Sequence, residues 1–132
     1  MTNNDAKALI LSALFTVFVA TDSHAGVLCR RDVPSLISVA AELARENAGQ
    51  TLIDTDQFMA FADKPNSAVW TFTKPAHPAH PAVVCRYPIK IGERYHVKLE
   101  ATCGGTKSAC DQLIEDFRKL NERIPEDIRQ KK

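Results

Sequence analysis

Side chains able to ligate a metal recur at a fixed interval in one stretch of this chain. In KPAHPAHPAV, residues 74–83, the tripeptide Ala-His-Pro occurs twice, and Pro75, Pro78 and Pro81 fall at every third residue. Each proline fixes φ and lacks an N–H donor, so the stretch predicts a polyproline II connector, not a helix or a central strand. With three residues per turn, His77 and His80 would share one side. Two imidazoles on a rigid edge could take Zn²⁺, Cu²⁺ or Ni²⁺ if a third ligand came from elsewhere, for which His96 is the candidate. A metal-handling protein is therefore the alternative reading. The plainer one is a stiff loop with solvated histidines that keeps neighbouring strands from pairing with other chains.

Other chemistry is sparse. Asp54 and Asp56 form a DxD pair that could hold a metal or activate water. With no third carboxylate nearby and no phosphate-binding loop, they read as turn carboxylates. No GxSxG, HExxH, Walker loop or GxGxxG occurs. The sequence thus names no catalytic residue and implies no cofactor, and it favours a binding module over an enzyme.

The four cysteines, Cys29, Cys85, Cys103 and Cys110, allow three pairings. An even count in a short exported chain predicts two disulfides. The favoured pairs are Cys103 with Cys110, across Gly104 and Gly105, and Cys29 with Cys85, tying the N-terminal segment to a sheet. In the loop-entropy picture the longer link contributes about 4 kcal/mol and the shorter about 2 to 3. A four-cysteine zinc site competes, but none of the spacings is CxxC.

Export is read from the first 25 residues. A polar start carrying Lys7 is followed by ALILSALFTVFVA, residues 8–20, and then by the small-x-small pattern Ser23-His24-Ala25. This is the order of a secretory signal peptide, with cleavage expected before Gly26. The apolar run is too short for an ordinary transmembrane helix. Residues 26–132 are then expected to form a single small domain, periplasmic or secreted, with no membrane span after cleavage. Setting aside Lys7, Asp5 and Asp22 reduces 17 basic and 16 acidic side chains to 16 and 14, a balance that gives no argument for nucleic acid.

The elements follow from periodicity. A helix over 33–47, capped by Asp32 and closed at Gly49, would turn Leu36, Ile37, Ala40, Leu43 and Ala44 inward. Strands are expected at 58–61, 68–73, 82–87 and 95–101, with turns at Lys64 to Ser67 and around Gly92. A second helix, capped by Thr106 or Ser108, carries Leu113, Ile114, Phe117 and Leu120 and stops near Pro125; residues 122–132 read as a solvated tail.

The fold class is therefore α+β: an antiparallel sheet of three to four strands, both helices on one face, stapled by disulfides. Trp70, Val97 and Leu99 would support the covered face, leaving Thr71, Thr73, Arg86, His96, Lys98 and Glu100 on an open polar one. The residues expected to bind are His77, His80, Arg86 and His96, and the expected partner is a protein or envelope component. Exposed strand edges also make a homodimer an expectation.

Overall fold

The computed structural model describes residues 26–123; the expected signal peptide and the tail from 124 onward lie outside the described residues. A short hairpin, β1 (Gly26–Leu28) and β2 (Arg31–Val33), leads into α1 (Leu36–Glu46). Five strands follow: β3 (Ile53–Asp54), β4 (Phe58–Asp63), β5 (Ala68–Thr73), β6 (Ala82–Ile91) and β7 (Arg94–Cys103). The chain then enters α2 (Lys107–Glu122). The five strands form an antiparallel meander in sequence order, as their alternating patterns and short turns predict.

The helices lie on opposite faces of this sheet, which corrects the expectation that both share one. Strand register decides the matter. Trp70 pairs with Cys85 and Cys85 with Glu100, so these three share a face; Thr71, Val84 and Ala101 share the other. Val39 and Leu43 of α1 pack with Trp70, Phe72, Val83 and Cys85, while Leu113 and Phe117 of α2 pack with Ala82 and Val84. Leu99 therefore belongs with Arg86, its register partner, and not with Trp70. The residues expected on one open face are likewise divided: Thr71, Thr73 and Arg86 face α2, and His96, Lys98 and Glu100 face the other way.

On the α1 side the starting point is a tight hairpin turn. Cys29 and Arg30 both take positive φ, 45° and 67°, as a two-residue type I′ turn requires. This aims Cys29 at the sheet, where it is bonded to Cys85, and its N–H donates to Glu100 Oε2 at 2.6 Å. Arg31 then reaches across to Asp63 at 3.1 Å, to Glu42 at 3.1 Å and to Glu46 at 2.6 Å. Asp63 is fully buried, and it also accepts from Trp70 Nε1 at 3.1 Å and Asn66 Nδ2 at 3.0 Å. Burial alone would raise the Asp63 carboxyl, but the hydrogen bonds from Arg31 and Asn66, with the Arg31 charge, hold it below the usual carboxylate range.

The cap of α1 is Ser35, whose Oγ accepts from Ser38 N at 3.1 Å; Asp32 is instead in β2. Ile37, expected inward, is 85 % exposed. Leu36, Val39, Ala40 and Leu43 make the apolar face at i, i+3, i+4, i+7, and Ile37 falls off it. At the other end Gly49 N–H donates to Ala44 O at 2.8 Å and Ala48 N–H to Arg45 O at 3.1 Å, the paired bonds of a Schellman cap. Ala48, with φ 51°, occupies the left-handed position.

On the α2 side, Thr106 is the cap, its Oγ1 accepting from Ala109 N at 3.2 Å. The Cys103–Cys110 disulfide fastens the helix to β7. Both favoured cysteine pairings are thus the ones present. Between β5 and β6 the PAHPAHP connector is not extended polyproline II. His77 N–H donates to Lys74 O at 2.9 Å and His80 N–H to His77 O at 3.0 Å, making two successive turns. Proline at the second position of a turn presets the same φ that polyproline II uses, and each histidine supplies the closing N–H. The connector is seated on the loop after β7: Gly104 N–H donates to Pro81 O at 2.7 Å, and a Cβ at Gly105 would stand 2.8 Å from the Ala79 backbone.

Candidate functional site

The site begins with the side chains that β4, β5 and β6 direct toward α2. Phe58, Thr71 and Arg86 all project to this face. Thr71 and Arg86 are diagonal neighbours, because Thr71 pairs with Val84 and Val69 with Arg86. Helix α2 seals the face where Leu113 and Phe117 are buried. Further along, its last turns leave a cleft of about 400 Å³. Ile53, Phe58, Phe117 and Leu120 form apolar walls, Thr71 and Arg86 supply the polar groups, and the exposed Asp116, Lys119 and Arg123 complete the lining.

Arg86 is the unusual member. Its Nη1 donates to Asn121 Oδ1 at 3.2 Å and its guanidinium lies 5.3 Å from the centre of the Phe117 ring. No carboxylate of the described residues pairs with it, and its Nε is buried without an acceptor. Burial pushes the guanidinium below its ordinary value. The Thr71 hydroxyl, on a residue 3 % exposed, is also buried without a hydrogen-bond partner. Buried polar groups are normally satisfied, so two orphans lining one cleft call for an explanation. Around them the charge is mainly positive, with Arg86, Lys119 and Arg123 against the single acid Asp116, which accepts from Gln112 Nε2 at 2.8 Å.

The other expected binding residues do not converge with Arg86 in one polar patch. His77 comes nearest, its ring 4.8 Å from that of Phe58, which in turn meets Phe117 edge-on at 6.1 Å. Its Nδ1 accepts from Ala79 N at 3.0 Å. His80 is exposed, with Nδ1 at 3.0 Å from Thr73 O and 3.1 Å from Thr73 Oγ1. His96 is exposed on the opposite face of the sheet, beside Ile89 across the β6–β7 pair. Among the described residues, the ligand-type atoms that gather are those of Cys29, Cys85 and Glu100, within 4.8 Å of one another, and both sulfurs are already joined in a disulfide. Asp54 is ion-paired with Lys74, and Asp56 is exposed.

Sequence reasoning singled out Arg86 and set Thr71 on the same face, but it took that face to be open and missed Phe117 as a neighbour. A signal was present. Ala82, Val83, Val84 and Cys85 are four apolar residues in a row, the mark of a strand covered on both sides and not of a half-wet one. On such a strand an arginine is enclosed whichever way it points.

No protein-family model, no curated protein and no solved structure matches this chain. Among the described residues no helix is long and apolar enough to cross a membrane.

Proposed function

We propose that this chain is an exported binding module, not a catalyst, and that the cleft beneath the end of α2 is its site. One observation carries the reading: a half-buried arginine whose Nε is shielded from water without an acceptor, with no carboxylate partner among the described residues, beside an unpartnered threonine hydroxyl in a largely apolar cleft. A fold gains nothing from leaving such donors unsatisfied, whereas a ligand acceptor would complete them. Export is supported by the leader-like residues 1–25 and by two disulfides that need an oxidising compartment to persist.

The test is a fragment screen by nuclear magnetic resonance on the ¹⁵N-labelled protein, using a chemically mixed set of acids, alcohols, amines and neutral rings. The expected result is a group of fragments that shift the backbone signals of Thr71, Arg86 and Leu120 together and leave His96 unmoved. A screen in which no fragment moves these signals would remove the cleft as a binding site.

A further inference from the structure

Resting on the reading of the cleft as a binding site, we propose that its ligand is a small monocarboxylate with an apolar body, held by Arg86 and Thr71. The guanidinium is oriented by what it already touches. Asn121 takes Nη1 and the Phe117 ring lies against the group, while Nε and Nη2 donate to no described residue. Those two N–H groups are parallel and coplanar, the fork that matches both oxygens of a carboxylate. The Thr71 hydroxyl, diagonal to Arg86 on the same face, offers one further donor.

The rest of the cleft selects against other head groups. A cationic ligand would meet Arg86, Lys119 and Arg123. A phosphate carries about two charges, and the cleft runs beside the last two turns of α2, where the helix presents its carbonyl end and Asp116 adds an acid. The body of the ligand is specified by Phe58, Phe117, Ile53 and Leu120, the last two 43 % exposed each and so available for burial.

The experiment titrates the protein with a matched series sharing one apolar body: 4-phenylbutyrate, 4-phenylbutanol, 4-phenylbutylamine and 4-phenylbutyl phosphate. The ¹H–¹⁵N signals of the Arg86 Nε–H and the Thr71 amide are followed. The carboxylate is expected to shift both and to bind at least tenfold more tightly than any other member. Arg86→Met, which keeps the apolar stem, is expected to erase that advantage while the Trp70 indole signal stays in place as evidence of an intact fold. Arg86→Lys, charged but without the fork, is expected to recover only part of it. Equal or tighter binding of the alcohol, amine or phosphate overturns the carboxylate assignment and leaves the cleft a binding site. Silence of this whole series, with mixed fragments still binding, also overturns the assignment alone; silence of both screens removes the binding site as well.

Discussion

The half-buried Arg86 guanidinium lies over the Phe117 ring, 5.3 Å from its centre, with an amide oxygen and no carboxylate of the described residues as its hydrogen-bonded partner. A buried donor left without an acceptor costs about 1 to 3 kcal/mol. Arg86→Met should therefore raise stability by about 1 kcal/mol, read as a higher urea midpoint with an unchanged slope. A lower midpoint would mean that the ring contact and the Asn121 bond outweigh the unpaired donor.

Asp63 should make the domain acid-sensitive. Its carboxyl is held below the ordinary range in the fold and sits near 4 when unfolded. As pH falls, the unfolded chain takes up the proton first. The stabilisation is fully present above about pH 4 and is lost as pH drops toward the folded value. Asp63→Asn should cost on the order of 3 kcal/mol at neutral pH and flatten the acid limb of a stability-versus-pH curve. An acid limb as steep as that of the parent protein would assign the sensitivity to other carboxylates.

The two disulfides should differ in weight. Cys29–Cys85 spans 56 residues and Cys103–Cys110 spans 7. Paired serine substitutions should lower stability by about 4 kcal/mol for the first and about 2 to 3 for the second. Chemical denaturation of each double variant checks the order, and a reversed order would count against chain entropy as the main cause.

Ala48 occupies the left-handed position of the α1 cap at φ 51°, a conformation that costs a residue with a Cβ about 1 kcal/mol. Ala48→Gly should recover about 0.5 to 1 kcal/mol, measured as a rise in thermal midpoint. The opposite holds at Gly105, where a methyl would press 2.8 Å from the Ala79 backbone. Gly105→Ala should destabilise by about 1 to 3 kcal/mol and shift the amide signals of the connector. Unperturbed His77 and His80 amides in that variant would show that the connector is not seated on this loop.

Residues whose pattern is local were legible in the sequence. The alternation of Trp70 and Phe72 predicts β5, the stripe of Leu113 and Phe117 predicts the buried face of α2, and the cysteine spacing yields the correct pairs. What failed depends on register. Tyr95, Val97, Leu99 and Ala101 form a clean apolar row, but alternation alone does not tell which face of β6 they join, and the choice moves every side chain across the sheet. The β1–β2 hairpin escaped notice because its turn is Cys29-Arg30, where asparagine-glycine would have announced it. The cleft was hidden for the same reason as the helix placement: Arg86 looks solvent-facing until a helix is known to cover it.

The sheet acts as a partition between two separately fastened halves. Cys29–Cys85 and the Arg31–Asp63 network hold one side, and Cys103–Cys110 holds the other. The Arg31–Asp63 network and the Cys103–Cys110 link have no residue in common, so the effects of breaking them should add. Under the proposed reading of the cleft, loosening of the α2 half to admit a guest would leave the half beneath Trp70 shut, so one small chain would be rigid and receptive at once.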